Sequence, residues 1–278
     1  STEVDLPKWN VVGSVFASFA DSQRDGKFRH HYYPTSKGKS DVYNSFDAGI
    51  KGKVTYKING KNFLVYNGAF FSLAPTLNEI FLNPRVSNMI TPNVENQLIN
   101  SNDLSYILRG QVLKIRLSGY YTTINNATEI SRYYADITSG SGDQGNALVA
   151  EVLSGINKSY KGLELGAEVK ITPTLSATAV GSYGDYRITN NPKVLTADDT
   201  TVKNFGNPIR DFGTANLKDY KVAGTPQKAY SFGLRYNSTK FWWIGATANY
   251  LQDQYLDFSA LNKTATLYTD ATGHLYPN

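Results

Sequence analysis

The sequence contains no cysteine, one methionine and three histidines among its 278 residues. Without cysteine there are no disulfides and no thiolate chemistry, although a location in the cell envelope is still compatible with this. The histidines are His30, His31 and His274, and no Ser-His-Asp arrangement is evident around them. We therefore predict a protein that makes or breaks no bond and carries no cofactor.

Metal-binding patterns are equally scarce. Adjacent side chains such as His30 and His31 point to opposite sides of an extended chain, and no carboxylate has a matching spacing. Asp198, Asp199 and Asp211 lie in the longest predicted loop but lack the spacing of an EF-hand. A solvated surface loop is the favoured interpretation in both cases, and no metal site is predicted.

Charge and long apolar runs are also limited. Charged residues make up 18% of the chain, and the net charge of +5 is scattered, which does not favour nucleic acid as a partner. No window approaches the roughly 20 apolar residues of a membrane helix, and Ser1-Thr2-Glu3 does not begin a signal peptide. Low hydropathy is nevertheless compatible with a membrane β-barrel, whose strands alternate lipid-facing and lumen-facing residues.

The residues that are abundant favour β structure, with 20 tyrosines, 13 phenylalanines and 23 glycines. In residues 161–171, Leu163 and Leu165 alternate with Glu164 and Glu168, which predicts a strand with one apolar and one charged face. After a short break, residues 174–186 form a second extended segment. Both exceed the usual strand of about five or six residues.

Nine extended segments are predicted, and their connections alternate between short and long. The segments span about 9–19, 42–58, 61–72, 95–108, 111–123, 147–171, 174–188, 225–236 and 240–255. Asn59-Gly60 predicts a type I′ hairpin turn. Residues 124–146 and 189–224 read as long loops, the first with room for a small hairpin of its own. Outer-membrane barrels have short periplasmic turns and long extracellular loops. The predicted fold class is all-β, an antiparallel transmembrane β-barrel.

The predicted number of strands indicates whether these segments can form a closed barrel. Single-chain bacterial barrels have an even number of strands, so nine strands predict a fragment of a larger up-and-down barrel. Residues 1–278 are accordingly expected to form part of one barrel domain, without a plug domain or the last strands.

Three segments resemble a known family. In "FFSLAPTLNEIF", the residues Ala74-Pro75-Thr76, Glu79 and Phe81 match a barrel motif of the TonB-dependent outer-membrane receptors, in particular the forms found in Bacteroidota. The arginine of that motif is absent, and Ser72-Leu73 stand in its place. "NKSYKGLELGAEVKI" resembles a further strand, and "VAGTPQKAYSFGLRY" with "FWWIGATANYLQDQYLDFSALNKT" resembles a late hairpin. The resemblance covers most of residues 42–264.

This resemblance implies import of a nutrient across a bacterial outer membrane, driven through TonB. The implied partners are outer-membrane lipid, the protein's own plug domain and remaining barrel strands, TonB acting through that plug, and a surface lipoprotein. One alternative is a structural or assembly barrel that binds surface lipoproteins. A second is a soluble carbohydrate-binding β protein.

Candidate site residues fall into three groups. Tyr133 and Tyr134, with Asp198 and Asp199, are the candidates for ligand binding in long loops. Strand-borne charges are expected to solvate the lumen or contact the plug: Lys51, Lys53, Lys114, Arg116, Glu164 and Glu168. The remaining aromatics at strand ends predict interfacial girdles: Tyr120, Tyr121, Tyr183, Tyr186, Trp242, Trp243 and Tyr250.

Overall fold

The computed structural model describes residues 1–30, 33–138, 144–198 and 207–265. Within them the chain is almost entirely antiparallel β-sheet. The strands are β1 Thr2–Asp5, β2 Trp9–Ser22, β3 Asp25–Gly26, β4 Gly38–Lys39, β5 Tyr43–Lys57, β6 Asn62–Leu73, β7 Gln97–Arg109, β8 Leu113–Thr138, β9 Gln144–Lys170, β10 Leu175–Ile188, β11 Lys193–Asp198, β12 Ile209–Thr214, β13 Lys228–Asn237 and β14 Trp243–Gln252. Three short helical turns lie between them or follow them: Pro34–Ser36, α1 Leu77–Ile80 and Ala260–Lys263.

Ten strands follow one path through the main sheet, in the order β1-β2-β5-β6-β7-β8-β9-β10-β13-β14. Each pairs antiparallel with its neighbour along this path, as a predicted up-and-down barrel requires. In the described part of the chain the two edge strands, β1 and β14, do not pair with each other. The antiparallel barrel-type fold predicted from the alternation is confirmed.

The sheet has two chemically different faces because the alternation stays in register from strand to strand. Leu165 of β9 is paired with Leu117 of β8 and with Gly181 of β10. We call this side the apolar face; it carries Val15, Ile50, Tyr66, Leu104, Leu117, Leu163, Leu165, Ala179, Phe232 and Ala246. The opposite side, the polar face, carries Lys53, Asn67, Asp103, Arg116, Glu164 and Thr178.

The apolar side chains of this sheet are exposed. Val15 is 78% exposed, Leu163 59% and Ile244 63%. A water-soluble domain buries side chains of this kind, since each is worth about 1.5–3 kcal/mol when buried. A continuous exposed apolar band over ten strands therefore indicates an apolar surrounding medium or partner.

Two predicted details of the strands are corrected. A short strand, β1, precedes the first predicted segment and pairs with β2 through Val4 and Val11. The main path therefore has one strand more than the nine predicted. β1 was missed because four residues are too short a stretch to show an alternation.

The Asn59-Gly60 hairpin forms, but not with the predicted turn. Neither residue has the positive φ that a type I′ turn requires. Instead the Asn59 side chain turns the chain by accepting the N–H groups of Lys61 at 2.9 Å and Asn62 at 3.0 Å. Local side-chain acceptors of this kind are a recognised alternative for asparagine.

The largest difference from the predicted layout lies at the end of the sheet that carries the long connections. Residues 124–146 were predicted as a loop with room for a small hairpin of its own. In the structure residues 124–138 continue β8 and residues 144–146 begin β9, so these two paired strands run to 26 and 27 residues. At 27 residues, β9 is roughly two and a half to three times as long as the 9–11 residues of a bilayer crossing. The predicted loop 189–224 contributes β11, which pairs with β9, and β12.

The buried core sits in this tall region, which we call the extension: residues 127–138 of β8, 144–156 of β9, and β11 with β12. One side of the extension packs Ala150, Val152 and Leu195 against Leu82 of the β6–β7 connection. The other side packs Val194 against Ala215, Leu217 and Ala260. In the part of the chain that the structure describes, no helix has both the length and the apolar character to cross a membrane.

Candidate functional site

Polar side chains form a connected surface on the polar face of the sheet. Asn67 donates to Asp103 at 2.9 Å, and the hydroxyls of Ser105 and Ser118 lie 2.8 Å apart. Strand pairing places these residues in neighbouring positions because β6, β7 and β8 are directly adjacent. Hydrogen-bonded polar groups can cover a wet surface without a desolvation cost.

The strand-borne charges predicted for this surface all lie on it. Lys114 and Glu168 are paired across β8 and β9 at 3.3 Å, with both side chains about half exposed. The Lys51 ammonium lies 5.0 Å from the centre of the Phe71 ring and 5.6 Å from that of Phe16. Exposed pairs of this kind contribute little to stability.

Two of the four predicted ligand residues come together in the extension. Tyr133 of β8 and Asp198 of β11 are both in register with Val149 of β9, so they lie on the same side of three adjacent strands. Tyr134 points to the opposite side and is 75% exposed. Asp199 lies outside the described residues.

The Tyr133 side chain is engaged by a buried carboxylate. Glu151, only 1% exposed, accepts the Tyr133 hydroxyl at 3.1 Å, the Ser259 hydroxyl at 2.7 Å and the Ala260 backbone N–H at 2.7 Å. Burial, followed by the Glu151 charge, raises the pKa of Tyr133 to about 12, so the phenol keeps its proton and donates at neutral pH. This cluster fastens the segment after β14 to the extension.

The extension is held on its other side by Arg132 of β8. Its guanidinium donates to the backbone carbonyls of Asn78 at 2.8 Å, Phe81 at 3.1 Å and Leu82 at 3.2 Å. Burial, followed by the nearby Arg85, lowers the pKa of Arg132 from its ordinary value. A cation at these carbonyls compensates acceptors left open at the end of α1.

The motif that carried the family resemblance has a local structural role. Thr76 and Glu79 form a capping box around α1, with the Thr76 N–H donating to the Glu79 carboxylate at 2.6 Å. Phe81 ends this turn and is 1% exposed. The Pro-Thr-x-x-Glu-x-aromatic pattern thus folds the start of the β6–β7 connection down onto the extension.

The predicted aromatic girdle divides between the two faces. Tyr121 and Tyr183 lie on the apolar face, where each is at least half exposed. Tyr120 and Tyr186 point to the polar side, with their hydroxyls 2.7 Å apart. Trp242 packs on Tyr236 of the apolar face at 5.5 Å between ring centres.

Trp243 lies on the other side of the sheet from Tyr236. Its ring lies 4.7 Å from the Arg235 guanidinium, and both residues belong to the polar parity of the β13–β14 pair. Its placement therefore differs from the girdle position predicted for it, because adjacent residues in a strand point to opposite sides.

Metal-binding geometry is not found in the described ranges, where no three His, Cys, Asp or Glu side chains are grouped. The His30 ring packs on Tyr33 at 5.3 Å between ring centres, and His31 lies outside the described residues. The Asp211 carboxylate accepts the Gly213 N–H at 2.7 Å, which turns the chain locally.

Glu151 and Arg132 were missed by sequence reasoning, although one of them had a visible signal. Glu151 interrupts the apolar run Val149-Ala150-Glu151-Val152-Leu153. A charged residue within such a run implies a buried carboxylate with hydrogen-bond donors around it. Arg132 has no comparable signal, because its acceptors are backbone carbonyls some 50 positions away in sequence.

Comparison with known proteins gives a fold. No family model matches the chain, and no curated protein matches it either. Among solved structures, it is similar to the copper transporter OprC, with 13% identity over 89% of this chain and a TM-score of 0.59. It is also similar to the ferric-catecholate import receptor Fiu from E. coli K12 in its closed form, with 15% identity over 92% of this chain and a TM-score of 0.53.

The chain spans about a third of the length of both structures, 33% of the first and 34% of the second. At 13% and 15% identity, the similarity shows the fold alone. The chain has the antiparallel β fold of part of these two structures.

Proposed function

We propose that this chain is part of the β-barrel of a TonB-dependent receptor that imports a nutrient across a bacterial outer membrane. The observation that carries the proposal is the exposed apolar face, continuous over ten antiparallel strands. A lipid-facing surface explains why large aliphatic and aromatic side chains are left uncovered. The fold shared with two import proteins supports transport as the use of this barrel.

The placement follows from the connections. Short turns at residues 58–61, 110–112 and 171–174 lie at one end of the sheet, which we assign to the periplasm. The extension stands at the other end, on the cell surface. The polar face lines the lumen, where the protein's own plug domain and further strands complete the channel. TonB acts through that plug, and no reaction is catalysed.

Uptake by the parent protein tests this proposal. We expect the full open reading frame to encode a plug domain with a TonB box, and nutrient uptake by cells expressing it to require both TonB and the proton gradient. Uptake is measured with and without an uncoupler and in a TonB-deficient strain. A detergent-soluble, heat-modifiable barrel without energised uptake would favour a scaffold that binds surface lipoproteins. A protein soluble without detergent would contradict both barrel functions.

We propose that Tyr134, whose ring is open to solvent, contacts the ligand on the extension. Tyr133 donates its hydroxyl to Glu151 and Asp198 is buried, so these two residues contribute only by shaping the extension. We expect Tyr134→Ala to weaken binding of the imported nutrient by about tenfold, since one aromatic stacking contact is worth about 1–1.5 kcal/mol. Tyr134→Phe, which keeps the ring, is the matched control. Equal binding by wild type and Tyr134→Ala, measured by equilibrium titration, would exclude this residue.

A further inference from the structure

A groove of about 600 Å³ lies on the apolar face, away from the extension and the polar face. It is centred on a row in register across three strands, with Gly119 between Leu104 and Leu163. Tyr66 and Tyr183 stand at the two ends of this row, because they pair with Leu104 and Leu163. We call this feature the outer groove.

Gly119 makes the groove possible. Its neighbours in the row, Leu104 and Leu163, are 55% and 59% exposed, so their side chains stand up on either side of a position that has none. A Cβ at Gly119 would lie 3.3 Å from the Leu163 Cδ2 atom. The result is an apolar trough between aliphatic side chains.

A cationic cluster lies at the rim of the groove, two residues further toward the extension on each strand. The next row in register contains Tyr121, Lys161 and Asp185. Asp185 is approached by three cations: Lys221 at 2.5 Å, Arg187 at 2.8 Å and Lys161 at 3.6 Å. Three cations therefore share one carboxylate, and the net charge of these four side chains is +2.

The Asp185 carboxylate holds this cluster together because it is ionised. The hydrogen bond from Lys221, followed by that from Arg187, lowers the pKa of Asp185 to about 2. Asp185 therefore stays ionised at neutral pH, where the three cations are charged. The adjacent acid, Asp253, is paired with Lys228 at 2.7 Å and does not reduce the excess. Lys161 is 60% exposed and Arg187 39%, so both have N–H groups open to a ligand.

We propose that the outer groove and its rim bind one membrane lipid with a phosphate headgroup. An acyl chain lies over Gly119 between Leu104 and Leu163, and the phosphate accepts hydrogen bonds from Lys161 and Arg187. A phosphate monoester carries a charge of about −1.5 to −2 and three acceptor oxygens, which matches two excess cations. This inference rests on the proposed membrane placement.

The position of the cluster also favours a lipid over a protein partner. Toward the short-turn end, the apolar face of β9 and β10 runs from Leu163 and Tyr183 to Val169 and Ala177 without a charge. Tyr121 and Tyr183 lie where this apolar stretch ends, as tyrosines do at the level of lipid headgroups. An anionic headgroup at that level meets Lys161 while its chain enters the groove.

Native mass spectrometry of the detergent-solubilised protein tests the site with named probes. These are dioleoylphosphatidic acid, a phosphate monoester, dioleoylphosphatidylcholine, which has no net charge, and inorganic phosphate. We expect one phosphatidic acid to bind at least tenfold more tightly than phosphatidylcholine, and inorganic phosphate at millimolar concentration to leave it bound. Equal binding of the two lipids, or displacement by inorganic phosphate, would overturn the proposal.

Variants locate the binding. Lys161→Gln should reduce phosphatidic acid binding about tenfold through loss of a charge-assisted contact. Gly119→Phe, which fills the trough, should reduce binding of both lipids. Lys193→Glu, on the exposed side of β11, is the matched control and should have no effect. A loss with Lys193→Glu equal to that with Lys161→Gln would show diffuse electrostatics and refute the site.

Failure of this inference and failure of the membrane placement give different results. Each preparation is first checked for heat-modifiable mobility on gels. A heat-modifiable barrel that shows no preference for phosphatidic acid would refute the lipid site alone. A wild-type protein that stays in solution without detergent would refute the membrane placement as well.

Discussion

Arginine in place of Ala179 is expected to reduce the free energy of folding into a bilayer by about 2–4 kcal/mol, the cost of a cation on the lipid face near the midplane. Ala179 lies on the apolar face of β10, in register with Ala167 and Phe232, and midway between the short turn after β9 and Tyr183. Its surroundings offer no carboxylate, because the neighbouring positions on this face are apolar or glycine.

The adjacent residue provides the control. Val180 is 54% exposed and points to the polar face, in register with Gly166 and Ser231. Val180→Arg should change the folding free energy by less than about 1 kcal/mol, because its side chain reaches a hydrated lumen. The measurement is urea-dependent equilibrium folding into vesicles of a short-chain phosphatidylcholine. Equal costs for the two substitutions would show that neither face meets lipid.

The alternation in the long strands below the extension could be predicted because each of these strands follows a single rule. In β9 and β10, Leu163, Leu165 and Ala177 face one way and Glu164 and Glu168 the other, with one turn between the strands. In a single-layer barrel sheet, each side chain lies in one of two environments, lipid or the aqueous lumen. Sequence periodicity then reports the structure directly.

The extension could not be predicted in the same way. It is covered on both sides, by Leu82 and Met89 on one and by Ala260 and Leu261 on the other, so its strands carry apolar residues on both parities. Gly155, with φ near +69°, and the register shifts of β8 after Ile124 break the regular alternation there. These properties hid the strand signal of residues 127–138, whereas residues 147–156 of β9 fall within the predicted segment 147–171.

The candidate site was predictable only as far as residue type allows. Aromatics and carboxylates in long connections are typical of loops that bind ligands, which is why Tyr133 and Asp198 were predicted. The structure places these two residues on one side of the extension. Whether a tyrosine is exposed or occupied depends on contacts distant in sequence. Glu151 reaches Ser259 and Ala260 across 108 and 109 positions, a contact that no local pattern encodes.

Removal of the Glu151 side chain is expected to release the segment after β14 from the extension. In Glu151→Ala, the Tyr133 hydroxyl, the Ser259 hydroxyl and the Ala260 N–H lose their acceptor together. A buried donor without an acceptor costs about 1–3 kcal/mol, so local opening of residues 256–265 should become easier by about 2–4 kcal/mol. Amide exchange at Ala260 should accelerate roughly 30- to 1,000-fold.

Two milder variants separate this contact from general damage. Tyr133→Phe removes one of the three donors and leaves Ser259 and Ala260 bound, so exchange at Ala260 should rise by no more than about tenfold. Glu151→Gln keeps one carbonyl oxygen as an acceptor and should fall between Tyr133→Phe and Glu151→Ala. Exchange in β9 residues 163–169, within the apolar band, should be unchanged in all three, because those hydrogen bonds lie in a separate part of the sheet. If Ala260 exchanges in Glu151→Ala at the wild-type rate, the packing of Ala260 with Val194 and Leu217 alone holds the segment, and the carboxylate is dispensable for it.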